Sequence, residues 1–137
     1  MTDRSPLAEV VRAARTIAVV GLSRKRERPS HGVAAYLQRR GYRIVPVNPA
    51  GGITLGEPVY PDLRSAALAA GPIDIVNIFR RSEYIPALLE QLLEVRPKLV
   101  WMQQGIRHAE VARDLERAGI MVVMDRCLAV DHQLLGM

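Results

Sequence analysis

The stretch IAVVGLSRKRERPSHG, residues 17–32, joins a short apolar run to a loop crowded with positive charge. Four consecutive apolar residues are typical of a strand that is buried on both faces. A single glycine, Gly21, ends the run, and a helical pattern begins near Ser30. The residues between them supply the cations Arg24, Lys25, Arg26 and Arg28, with His31 as a fifth candidate. A buried strand that leads into a helix predicts the first unit of a parallel α/β sheet.

The same alternation continues in both directions from this stretch. Further buried strands are predicted at 43–47, 75–79, 99–102 and 121–124, besides 17–20. Helices are predicted at about 5–14 and at 30–40, 62–70, 82–95 and 107–118, and glycine follows three of them, as expected of helix ends. Because crossovers between parallel strands are right-handed, the pattern predicts a doubly wound, parallel five-stranded sheet in an α/β fold.

Composition narrows the function before any motif is considered. The chain has 137 residues, a formal charge of +5 and one cysteine, so we expect one domain without an internal disulfide or a multi-cysteine metal site. No histidine pair has metal-ligand spacing. His31 is expected in the first turn of a helix, and His108 and His132 at polar surface positions. No signal-peptide core or membrane-length apolar run occurs, so we expect a cytoplasmic protein with no membrane or nucleic-acid partner.

A doubly wound sheet binds its ligand beside the carboxyl ends of the strands. Five segments follow those ends in this sequence: GLSRKRERPS, NPAGGITLGEP, RRSE, QQGIRH and DRCLAVDH. We therefore expect the ligand site to be built from these loops.

The first loop lacks the pattern of a dinucleotide site. A nicotinamide-binding fold would show G-x-G-x-x-G and an acidic residue after the second strand. Here Gly21 stands alone until Gly32, and Asn48 and Pro49 follow the second strand. The cationic side chains could instead hold phosphates by their own charge, or they could form an ordinary solvated loop. An NAD(P)-binding protein remains an alternative.

Five longer segments of the sequence resemble, in order and spacing, those of the stand-alone CoA-binding protein family, whose fold matches the CoA-binding domain of succinyl-CoA synthetase α subunits. They are IAVVGLSRKRERPSHGVAAYLQRRGYRIVPVNP, LGEPVYPDL, DIVNIFRRSE, VWMQQGI and AGIMVVMDRC, within about residues 15–131. The resemblance implies a single CoA-binding domain over residues 1–137. It also implies a Rossmann-like, three-layer α/β/α fold, with coenzyme A or an acyl-CoA as ligand.

The resemblance also implies the positions that contact coenzyme A. They are Gly21, Leu22, Ser23 and Arg24 in the first loop, Val47, Asn48 and Pro49, then Phe79 and Arg80, and finally Met102, Gln103 and Gln104. Arg26 and Arg28 join this set as cations of the same loop. Around Gln103 and Gln104, either free amides of a following helix bind the ligand, or Gln104 caps that helix.

The implied function is a binding or regulatory module without catalytic residues, since the sequence contains no counterpart of the synthetase's phosphorylated-histidine domain. An alternative is an acyl-CoA-handling transferase or redox protein that uses Cys127. A single cysteine at a strand end is, however, more often a small buried hydrophobe. A protein partner and the oligomeric state are left open.

Overall fold

A computed structural model describes residues 4–135, and its centre is a parallel five-stranded sheet. The strands are β1 (Thr16–Val20), β2 (Arg43–Val47), β5 (Ile75–Ile78), β6 (Leu99–Met102) and β7 (Met121–Val123). The short strands β3 (Ile53–Thr54) and β4 (Glu57–Pro58) form a separate antiparallel pair. The helices are α1 (Pro6–Ala13), α2 (Pro29–Arg39), α3 (Leu63–Ala70), α4 (Leu89–Val95), α5 (Ala109–Arg117) and α6 (Leu128–Leu134). The predicted α/β, Rossmann-like fold class is confirmed.

The strand order across the sheet is β2-β1-β5-β6-β7. The first strand, β1, therefore lies inside the sheet and pairs with β2 on one side and β5 on the other. The chain reverses its direction of travel across the sheet at this point. Such a switch point is where α/β sheets form a crevice for a ligand.

The sheet is covered on both faces, which explains why its strands are apolar throughout. In β1, Ile17 and Val19 pack against residues of α1, α2 and α6. Ala18 and Val20 point the other way and pack against residues of α3, α4 and α5. The alternation along one strand thus serves two cores, and the molecule has three layers.

Three elements differ from the predicted pattern. The helix expected at 82–95 is two 3₁₀ turns, Ser82–Tyr84 and Pro86–Leu88, followed by the shorter α4, because Pro86 has no N–H to donate within a helix. The β3–β4 hairpin was not predicted. Neither was α6, whose seven residues are too few to show a clear helical period.

None of the helices within residues 4–135 has the length and apolar character needed to cross a membrane.

Candidate functional site

A large cleft lies at the carboxyl ends of the strands, beside the switch point. Its volume is about 880 Å³. Its walls come from the loops after β1, β5, β6 and β7 and from the first turn of α2. This volume lies within the usual range for small-molecule sites.

Gly21 forms the turn between the end of β1 and the loop that lines the cleft. Its φ of +86° is a conformation that glycine adopts without steric cost. Its N–H donates to the carbonyl oxygen of Val47 at 2.8 Å. A Cβ at this position would lie 3.1 Å from the carbonyl oxygen of Phe79, so the neighbouring chain also leaves no room for a side chain.

Two serines shape the cationic loop after this turn. The N–H of Ser23 donates to Oγ of Ser30 at 3.0 Å, which ties the start of the loop to the first turn of α2. Oγ of Ser23 accepts the N–H of Lys25 at 3.1 Å. These local bonds hold a polar loop against the cleft without a second glycine.

The loop cations do not all face the same space. Lys25 and Arg28 line the cleft. Arg24, together with Lys25 and Asn48, lines a smaller neighbouring cavity of about 120 Å³. Arg26 is exposed and lines neither of these two cavities. The positive charge predicted for the ligand site is therefore divided between the cleft and the smaller cavity beside it.

The positions predicted to contact the ligand lie in different parts of the structure. Those on the cleft wall are Gly21, Ser23, Arg28, Phe79, Gln103 and Gln104. Leu22, Val47 and Met102 are buried in the cores, and Pro49 is exposed outside the cleft. Arg80 lies beside Gly21, with its guanidinium 5.0 Å from the centre of the Tyr84 ring.

Asn48 has a structural role where a dinucleotide fold would place an acid. Its Nδ2 donates to the carbonyl oxygen of Leu22 at 3.2 Å, and its Oδ1 accepts the N–H of Ala50 at 2.9 Å. Both ends of the amide are thus bonded within the protein. The side chain stabilises the loop after β2 and connects it to the first loop.

The alternative that Gln104 caps the following helix is wrong. Helix α5 begins only at Ala109, and His108 caps it by accepting the N–H of Val111. The intervening Gly105 donates its N–H to Asp125 instead. A turn at Gln104 and Gly105, closed by the N–H of Ile106 donating to the Gln103 carbonyl oxygen at 2.9 Å, separates the glutamines from the helix, and Gln104 is exposed on the cleft wall.

Gln103 is held firmly beneath the cleft and is only 6% exposed. Its Oε1 accepts Nδ2 of Asn77 at 3.2 Å and the N–H of Leu128 at 3.3 Å. Two donors on this oxygen fix the orientation of the amide. Gln103 thereby joins β5, β6 and the start of α6.

A family model described as "CoA binding domain" matches residues 15–133, nearly the whole length of the chain. The chain belongs to this CoA-binding domain family.

The similarity of this CoA-binding domain to known proteins extends over its length. It is 40% identical over 130 residues to the uncharacterized protein YneT of Bacillus subtilis (strain 168), covering 95% of this chain and 94% of YneT. It shares 42% identity and a TM-score of 0.89 with the Thermus thermophilus structure "cell-free ID.343", over 94% of this chain and 96% of that one.

A more distant likeness shows the fold alone. The dinucleotide-forming acetyl-coenzyme A synthetase 1 of Ca. Korarchaeum cryptofilum is 19% identical, with a TM-score of 0.66. The alignment covers 79% of this chain and 25% of the synthetase. The CoA-binding domain described here thus has the same architecture as one part of a much longer protein.

The cleft of this CoA-binding domain includes residues that sequence reasoning did not select. Ser30 and Gly32 belong to the cationic stretch and could have been found from its continuation into α2. Ile106 carries no recognisable signal. Cys127, for which a transferase or redox role and a buried structural role were both considered, is half-buried and lines the cleft.

His132 of the CoA-binding domain does not lie at the polar surface position expected from sequence. It is 3% exposed, and its Nδ1 lies 2.9 Å from the Tyr36 hydroxyl. Burial, and secondly the charge of Arg40, lowers the pKa of His132 from its ordinary value. The expectation was wrong because the helix that carries His132, α6, was not predicted.

Proposed function

We propose that this protein binds coenzyme A or an acyl-CoA in the cleft at the switch point, as a binding or regulatory module without catalysis of its own. The observation that carries this proposal is the placement of Lys25 and Arg28 on the wall of that cleft, in a chain of the CoA-binding domain family. Coenzyme A has both phosphates and an uncharged arm, and the cleft offers cations together with uncharged surface.

The loop favours recognition of phosphate by side chains. A close glycine turn that would let the backbone wrap a pyrophosphate is absent between Gly21 and Gly32. Lys25 and Arg28 have long side chains that can reach a phosphate from an exposed loop. Arg80 is proposed as a further contact, since it lies next to Gly21 at the end of β5. Asn48 and Arg24 are proposed contacts from the adjoining cavity.

An NAD ligand fits these residues less well. No carboxylate follows β2 to hold the ribose hydroxyls, and the amide of Asn48 is already bonded at both ends. The 3′-phosphate of coenzyme A suits the same positive loop better than free hydroxyls would.

Calorimetry with coenzyme A and thermal unfolding in its presence test the proposal. A ligand that binds only the folded protein stabilises it by about 2.7 kcal/mol when its concentration is one hundred times Kd. We expect a saturable heat of binding and a rise in Tm with coenzyme A concentration. If millimolar coenzyme A changes neither the heat trace nor the Tm, the proposal is refuted.

A further inference from the structure

The cleft presents different chemistry along its length. The cations Lys25 and Arg28 follow β1, Gln103 follows β6, and Cys127 follows β7. The strand order places β5 and β6 between β1 and β7. Neighbouring strands lie about 4.8 Å apart, so the ends of β1 and β7 are separated by about 14 Å. A ligand that spans the cleft would meet positive charge at one end and a thiol at the other.

Gln103 points to the kind of group that lies near the thiol. Both hydrogen bonds to its Oε1 come from within the protein, whereas its Nε2 has no hydrogen-bond partner among residues 4–135. The side chain is buried and lines the cleft. Nε2 is not a fully buried atom, so it is open to the cleft, where water or a ligand can accept its hydrogen bond. A ligand with an amide carbonyl would accept that bond.

Cys127 is adjacent to this donor. Leu128, the next residue, donates its N–H to Gln103, so the backbone beside Cys127 lies against the same side chain. Cys127 occupies the N-cap position of α6, but its side chain makes no capping bond. Its side chain is half-buried on the cleft wall. The thiol is therefore accessible from the cleft and is not engaged in closing the helix.

We propose that Cys127 forms a mixed disulfide with the thiol arm of coenzyme A, by exchange with a coenzyme A disulfide. This inference rests on the proposed function, because the cations would have to hold the phosphate end of the same ligand. The amides of the pantetheine arm pass Gln103, and its terminal sulfur reaches Cys127. The protein would thus carry coenzyme A covalently when the coenzyme is oxidised and release it when thiols reduce the bond.

The exchange needs no oxidant besides the disulfide itself. Cys127 first loses its proton to water, since the thiolate is the attacking species. Its sulfur attacks one sulfur of the coenzyme A disulfide, so that one S–S bond forms as the original S–S bond breaks. The second coenzyme A leaves as a thiolate and takes up a proton from solvent. Cys127 is oxidised to the mixed disulfide, and the departing sulfur is reduced.

Intact-mass kinetics with two disulfides test this inference. The full chain is treated with coenzyme A disulfide or with bis(hydroxyethyl) disulfide, and adduct formation is followed for each. Cys127 is the single cysteine of the sequence, so every thiol adduct reports on this residue. Because a bound disulfide is oriented beside the thiol, we expect coenzyme A disulfide to react at least about tenfold faster at equal concentration.

Matched variants show whether the cleft causes this preference. The double variant Lys25→Gln, Arg28→Gln should form the adduct with coenzyme A disulfide more slowly than the wild type. Arg26→Gln, whose side chain does not line the cleft, should form it at the wild-type rate. Equal rates for the two disulfides, or equal effects of these variants, would overturn the inference. Calorimetry of Cys127→Ser with reduced coenzyme A separates the two proposals. If reduced coenzyme A binds but the wild type does not react faster with coenzyme A disulfide, the mixed disulfide alone is refuted. If reduced coenzyme A binds neither the wild type nor Cys127→Ser, the proposed function is refuted.

Discussion

Single residues define the geometry at the end of β1. Gly21 has a positive φ and almost no space beside it, since a Cβ would approach both the Phe79 carbonyl oxygen and the Arg80 side chain. Gly32 lies in α2, has no positive φ, and has open space where its Cβ would be. The two glycines therefore differ in what they contribute, although both line the cleft.

Gly21→Ala should destabilise the protein by about 1 to 2 kcal/mol, because the side chain adds left-handed strain and a close contact. Gly32→Ala is the matched control and should stabilise α2 by about 0.5 to 1 kcal/mol. Denaturant unfolding of both variants measures the difference. Equal free energies of unfolding for the two variants would contradict the role assigned to Gly21.

Arg28 and Arg26 form a second matched pair, since both are exposed in one loop but only Arg28 lines the cleft. Arg28→Gln should weaken coenzyme A binding by about 1 kcal/mol, roughly fivefold in Kd, as expected of an exposed charge pair. Arg26→Gln should leave Kd nearly unchanged. Calorimetry at low salt makes the comparison, and a larger loss for Arg26→Gln would show that the loop faces the ligand differently.

At the scale of elements, α6 connects the cleft to the opposite end of the molecule. Its first turn follows Cys127 on the cleft wall, and His132 packs edge-on against the rings of Tyr36 and Tyr42. Asp131 of the same helix pairs with Arg126. The helix is thus anchored by polar side chains as well as by its apolar residues.

Protonation of His132 should weaken this anchoring. Because its pKa is lowered in the folded protein, the unfolded chain takes up the proton first as the pH falls. The stability contributed by the neutral ring is complete above the ordinary value of 6.5 and is lost as the pH falls through the lowered folded pKa. Urea unfolding between about pH 7.5 and pH 5 should show a steeper loss for the wild type than for His132→Gln. Parallel curves for the two proteins would exclude this role.

The sequence predicted the five strands of the main sheet better than the short elements. The five strands were found because burial on both faces makes each of them an apolar run. Helix α6 and the β3–β4 hairpin were missed, since seven residues and two-residue strands show no clear period. Within the site, Gly21 and Arg28 could be selected by their place in the first loop. The orientation of Gln103 could not, because it depends on Asn77 and Leu128, which come close only in the folded chain.

For the whole molecule, the cations of the first loop line both the cleft and the smaller cavity beside it, so a ligand with more than one phosphate site can contact both groups of cations. We expect tighter binding of coenzyme A than of dephospho-coenzyme A or NAD, by about two- to fivefold at low salt, because the 3′-phosphate adds an exposed charge pair. The preference should shrink as salt screens the loop.

Calorimetry of the three ligands at low and high salt measures this preference. The variant with Arg24, Arg26 and Arg28 changed to glutamine is the control, and it should bind coenzyme A and dephospho-coenzyme A alike. Equal affinities in the wild type would show that the loop does not recognise the 3′-phosphate.

The strand order also determines when the cleft can exist during synthesis. The inner strand β1 leaves the ribosome early and can pair with β2, but its other edge must wait for β5. The wall that carries Cys127 emerges later still, after β7. A nascent chain released before this point would have the cationic loop without the opposite wall. A ligand that needs both walls therefore cannot assist the early steps of folding, and it stabilises only chains whose synthesis has passed α6.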